Sequence, residues 1–213
     1  MKQGSTIVPA LFLFEPRMLL RTAVTNLLTE QHSQIQSHQV LPSLIESIHA
    51  TRSDNKTLLI GVGGAGHAYY DLLRFIRRMK SLKVKTIVWV PAEYPWMLRL
   101  LNSLHVHQVI VEEDIATVLP ALVTEVMGAK PRSARETGGV KRTRSITQTE
   151  LDILLQFASG LSSREMSEQR NCSYKTIFSW KHNLCEALEL ESHSDWLEVL
   201  FQLSQLSSQY QAG

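Results

Sequence analysis

The chain has 213 residues, 44% of them hydrophobic and 20% charged, with a formal net charge of +2. That composition excludes wholesale disorder and collagen-like fibres, and the length exceeds one typical domain of ~100–150 residues, so one large domain or two small ones is expected. No apolar run approaches the ~18 residues of a membrane span, Pro9, Glu15 and Pro16 interrupt the N-terminal segment too early for a signal peptide, and Cys172 and Cys185 make no disulfide framework or cysteine-based zinc site, so a cytoplasmic protein is expected.

Ile7–Phe14 is a continuous apolar run of strand length, and Met18–Leu28 sets Leu20, Val24, Leu27 and Leu28 at helical spacing. Thr57–Val62, Thr86–Val90 and Gln108–Val111 are further short runs rich in Val and Ile. Between and after them, Tyr69–Met79, Pro95–Leu104 and Ala116–Met127 carry helical spacing. Strands buried on both faces read as unbroken apolar runs, and their alternation with helices indicates a parallel sheet. Residues 1–128 are therefore expected to form a doubly wound α/β domain of about five strands.

Several features of this half invite chemistry. Gly61-Val-Gly-Gly-Ala-Gly66 fits G-x-G-x-x-G between a strand and a helix, the setting of a dinucleotide fingerprint. It follows the third strand rather than the first, and the next carboxylate beyond the following strand, Glu93, lies 32 residues after Gly61. The fingerprint places that carboxylate at roughly 20 residues. A tight glycine-built loop is the favoured reading, with nucleotide or ligand binding as the alternative. His105-x-His107 has no third ligand nearby, so no metal is expected. The run Arg74, Arg77, Arg78, Lys80, Lys83, Lys85 reads as a solvated face. Trp89, Tyr94 and Trp96 gather around the fourth strand and the next helix, as core or as an interface.

Residues 129–145, AKPRSARETGGVKRTRS, have the composition of an exposed hinge. The charge is unevenly placed: net +2 over 1–129, +5 over 130–145 and −5 over 146–213. Beyond the hinge the pattern is all-helical. Thr147-Gln-Thr-Glu150 and Ser162-Ser-Arg-Glu165 are capping boxes, the first followed by a stripe of Leu151, Leu154, Leu155 and Ala158 that Gly160 ends. Asn171-Cys-Ser173 makes a short turn into a third helix near Tyr174–Leu188, and a fourth is expected over Asp195–Leu206.

A capped helix, a short turn and a second capped helix form the sequence pattern of a helix-turn-helix. On a helical wheel Ile177, Leu184 and Leu188 face inward, whereas Lys175, Ser179, His182 and Asn183 face outward with Lys181 on the flank. Short or cationic hydrogen-bonding groups of this kind read base edges and phosphates. Phe178 is outward as well, suited either to a thymine methyl or to a contact inside the protein.

The segment ITQTELDILLQFASGLSSREMSEQRNCSYKTIFSWKHNLCEALEL resembles the LuxR-type (NarL/FixJ-type) DNA-binding domain. It carries that family's (L/I)TxxExxxL opening at Ile146, its GLSxxE(I/M) at Gly160 and its S-x-K-T-(V/I) at Ser173, without a gap. The resemblance implies DNA-facing positions at Lys175, Thr176, Ser179, Lys181 and His182. Ser167 and Arg170 depart from the usual Ala and apolar residue, which implies a less tightly packed scaffold helix.

A preceding α/β domain resembles the receiver of a response regulator. A working receiver needs two acidic residues after its first strand to hold Mg²⁺. Here Glu15 and Pro16 stand there, Gly61 takes the phosphoacceptor position, Val90 that of the switch hydroxyl, and Val111 or Glu112 that of the lysine. The resemblance is to a pseudo-receiver, expected to go unphosphorylated.

The expected architecture is a pseudo-receiver at 1–128, a basic linker at 129–145 and a four-helix LuxR-type domain at 146–213. The expected function is transcriptional regulation, with double-stranded DNA and either a second copy or another LuxR-type response regulator as partners. Neither catalysis nor a cofactor is expected. The recognition stretch is similar to auxiliary partners of the Rcs phosphorelay regulator. The alternatives are a ligand sensor using Gly61–Gly66 and an anti-activator that sequesters a response regulator.

Overall fold

A computed structural model describes residues 10–29, 32, 34–91, 94–128 and 144–208. Hinge residues 129–143, the start of the first apolar run and Glu93 lie outside them. Five parallel strands, β1 (Ala10–Phe14), β2 (Ile35–His38), β3 (Lys56–Gly61), β4 (Lys85–Val90) and β5 (Gln108–Val111), order as β2-β1-β3-β4-β5. This is the flavodoxin-like winding, whose crevice opens at the C-terminal ends of β1 and β3. The helices are α1 (Met18–Thr29), α2 (Leu41–Ala50), α3 (Tyr69–Met79), α4 (Pro95–Ser103) and α5 (Ile115–Gly128).

Side chains alternate across a strand, so each strand feeds two cores. Phe12, Phe14, Leu58, Ile60, Val88 and Val90 face α2, α3 and α4. Leu11, Leu13, Leu59, Ile87 and Trp89 face α1 and α5. Because both faces are covered, the inner strands contain almost no exposed residue. That burial is the physical origin of their unbroken apolar runs.

Four further helices follow: α6 (Gln148–Ala158), α7 (Ser163–Gln169), α8 (Tyr174–Ala187) and α9 (His193–Ser208). Both capping boxes form, with Thr147 and Ser162 each accepting from the N3 amide and Glu150 and Glu165 reaching back to the cap amide. Gly160 takes φ +89°, the left-handed value that ends α6. Arg170 donates to Gln156 and Ser167 to the Arg164 carbonyl, while Met166 supplies the buried anchor of α7.

The helical unit docks on α3 and α4, and one apolar core runs through both. Polar bonds frame this contact. Arg74 Nε donates to Asp152 at 2.9 Å, Arg77 Nε to the Ile146 carbonyl at 2.9 Å, and Arg99 to the Leu188 carbonyl at 3.1 Å. The Ile146 amide donates to the Ser103 carbonyl at 3.1 Å, and Trp96 donates to Gln202 of α9. The basic run of α3 is therefore not simply a solvated face, since Arg74 and Arg77 hold the helical unit. Trp89 and Trp96 are buried on opposite sides of the sheet, so the aromatic group divides between two cores.

Candidate nucleic-acid interface

The crevice above β1 and β3 holds a closed charge cluster. Glu15, fully buried, accepts from the Arg17 amide and Nε through Oε1, and from Arg17 Nη2 and Trp89 Nε1 through Oε2, all at 2.9–3.0 Å. The same guanidinium donates to both oxygens of Glu112, at 2.7 and 3.0 Å. Burial works against the charge of Arg17, and the bonds to Glu15 and Glu112 outweigh it, pushing the group further up from its already high ordinary value. A cation supplied by the chain thus lies between two carboxylates where the receiver resemblance places a metal.

The glycines of the loop fit that plug. A Cβ on Gly61 would sit 1.9 Å from Glu15 Oε2 and 2.6 Å from Trp89 Nε1, and one on Gly63 2.8 Å from Arg17 Cζ. Gly64 has φ +73° and a Cβ there would meet Arg17 Cγ at 2.9 Å. Gly61 therefore packs against Glu15 and Trp89, and Gly63 and Gly64 against the Arg17 side chain. His105 bonds to Ser145 and His107 Nδ1 accepts from the Thr86 amide. No group of three metal-binding side chains occurs among the described residues.

The second and third helices of the C-terminal unit, α7 and α8, cross through the turn at Asn171 (φ +49°), and Ser173 caps α8 by accepting from the Thr176 amide. Ile177, Leu184 and Ala187 bury the inner face of α8. Lys175, Ser179 and His182 lie exposed on its outer face. The Thr176 hydroxyl shares a 2.8 Å bond with Ser173, and Ser179 donates to the Lys175 carbonyl at 3.0 Å. Lys181 lies over the Trp196 ring, 5.3 Å from its centroid. Asn183 turns inward, donating to Glu150 Oε1 at 3.1 Å, while its carbonyl accepts from Arg144 at 3.0 Å.

Glu150 is the keystone of that inner network. It is 2% exposed and also accepts from Arg144 Nη2 and from the amide and hydroxyl of Thr147. Burial pushes its carboxyl up, and the bonds from Thr147, Arg144 and Asn183 together bring it below its ordinary value. Sequence reasoning missed this arrangement because Arg144 falls in the basic hinge, where nothing distinguishes it from its neighbours. It also left Tyr174 unremarked, although Tyr174 and Phe178 are both 57% exposed.

The model of the family described as "Bacterial regulatory proteins, luxR family" matches residues 144–199. A search of curated proteins gives no significant match. Among solved structures, the two-component response regulator RcsB in complex with DNA aligns with TM-score 0.55 and 21% identity, over 90% of this chain and 98% of that one. RcsB dimers bound to two parallel DNAs align at 0.51 and 18%, over 90% and 97%. RcsB of Salmonella typhimurium aligns at 0.50 and 18%, over 92% and 98%. These likenesses concern the fold. No helix among the described residues is long and apolar enough to cross a membrane. Residues 144–199 thus match the luxR family of bacterial regulatory proteins, and the five-stranded sheet domain before them lies within the stretch that shares its fold with the RcsB structures.

Proposed function

We propose that the chain is a DNA-binding transcriptional regulator that acts without phosphorylation, docking α8 in the major groove. The observation that carries this reading is the open outer face of α8. Lys175 and His182 stand free of any protein partner among the described residues, at the second helix of a doubly capped helix-turn-helix. The crevice supports the absence of phosphorylation, since Gly61 has no nucleophile and Arg17 fills the space beside it. The working division is a pseudo-receiver at 1–128, a basic linker at 129–145 and a DNA-binding unit at 146–213.

Charge supports a partnered form. Non-specific affinity comes from neutralising phosphates, and residues 146–213 carry a net −5. The +5 segment before them, or a more basic dimer partner, supplies what they lack. The partner is a second copy or another LuxR-type response regulator. The test is binding to fragments of the source genome at ~150 mM salt, alone and with each such regulator of the host. Specific binding by the chain alone establishes a self-sufficient regulator and removes the charge argument. Binding only with a partner establishes an auxiliary subunit. No binding in either arm overturns the reading.

A further inference from the structure

We infer that the chain reads sequence chiefly through thymine methyl groups, contacted by Tyr174 and Phe178, an inference that rests on the DNA-binding reading above. Of the six polar side chains placed on or beside the outer face of α8, four are engaged within the protein. Thr176 is bonded to Ser173, Ser179 to the Lys175 carbonyl, Lys181 lies on Trp196 and Asn183 is held by Glu150. Lys175 and His182 remain, and a flexible lysine serves phosphate as readily as a base.

What the helix offers instead is apolar. Tyr174 and Phe178 are each 57% exposed and stand four residues apart, so their rings form one row about 6 Å between Cβ atoms. His182, four residues further, continues the row. Tyr174 is the first residue of α8, and the N-terminal residues of a recognition helix are those that meet base edges. The docking contacts of Arg99 fall at Leu188 and Glu189, the far end of the helix, and leave these rings open. The apolar feature of the major groove is the C5-methyl of thymine. Two exposed rings beside a lysine match a short thymine-containing step flanked by phosphate.

The test starts from duplexes enriched out of a random library by the full chain, alone or with a LuxR-type response regulator. Each thymine of the best site is then replaced by deoxyuridine, which pairs identically and lacks only the methyl. The expected loss is about fourfold for each contacted thymine and about fifteenfold for a pair of symmetric half-sites, at ~0.8 kcal/mol per buried methyl-sized group. Phe178→Ala and Tyr174→Ala lose comparable affinity, become indifferent to deoxyuridine at their own positions and keep the salt slope of the parent. Their unchanged melting temperature excludes misfolding. Full affinity on the deoxyuridine duplexes overturns this inference and leaves DNA binding intact. Failure to enrich any duplex overturns the DNA-binding reading itself, and this inference with it.

Discussion

A Cβ on Gly61 would lie 1.9 Å from Glu15 Oε2, so the position that ends β3 cannot carry a side chain while Glu15 holds its place. Glu15 is not a loose neighbour able to swing aside, because four bonds from Arg17 and Trp89 fix both of its oxygens. Gly61→Asp therefore does not recreate a phosphoacceptor. It is expected to destabilise the fold by more than about 3 kcal/mol, through overpacking and an added buried charge. A small-molecule phosphodonor is expected to leave the mass of both proteins unchanged. A variant that melts like the parent and gains a phosphoryl group would refute the steric argument.

Arg17 is the cation that Glu15 and Glu112 share in that same crevice. Arg17→Met removes the guanidinium and leaves the fully buried Glu15 with only N–H donors around it. The expected cost is about 3 kcal/mol, the low end for breaking a buried pair, because the Arg17 side chain is 35% exposed. Adding Glu15→Gln is expected to recover part of this, since the uncompensated charge goes with it. Denaturant unfolding of the two single variants and the double variant measures the coupling, and strictly additive losses would count against an ion-paired plug.

Acid should weaken the sheet domain before it reaches the carboxylates. Burial, then nearby Lys85, holds His107 below its ordinary 6.5, and its Nδ1 must stay unprotonated to accept from the Thr86 amide. The native state resists a proton that the unfolded chain takes up. This contribution is thus complete above about 6.5 and lost as pH falls through the lowered value. His38 and His105 shift in the same direction. The melting temperature is expected to be lower at pH 5.5 than at pH 7.5, with a smaller drop in His107→Asn. An equal drop in both proteins would move the effect to other groups.

The joint between the two units makes a claim about cooperativity. Trp96 is 7% exposed and reaches Gln202 of α9, and Arg74 reaches Asp152 of α6. One core spans the contact, so calorimetry is expected to show a single transition. Trp96→Ala is expected to split it in two, with a cost of about 3 kcal/mol. Two transitions in the parent would mean that the docked arrangement contributes little.

Legibility in the sequence tracked burial and distance. The inner strands were readable because both their faces are covered. β2 was not, because Ile35–His38 is an edge strand with one apolar residue. The stripe Leu41, Leu44, Ile45 and Ile48 of α2 was present but lacks a side-chain cap to announce it. Capping boxes located α6 and α7 because their partners are three residues apart. The plug and the joint were hidden for the opposite reason: Arg17 meets Glu112 across 95 residues and Arg74 meets Asp152 across 78. On α8 a wheel assigned Asn183 outward, where only the buried carboxylate of Glu150 explains why it turns in.

Asn183 and Lys175 should consequently fail in different ways. Asn183→Ala removes a donor from a carboxylate that is 2% exposed, so the expected effect is a stability loss of about 1–2 kcal/mol, with sequence preference kept. Lys175→Ala removes an exposed cation without an internal partner, so stability holds, affinity falls evenly across sequences and the salt slope drops by about one. Melting curves and DNA titrations at three salt concentrations separate the two. If Asn183→Ala instead alters which base pair is preferred at one position while leaving the melting temperature alone, Asn183 leaves Glu150 in the complex to read DNA directly. The outer face of α8 would then have one more polar reader than its free form presents.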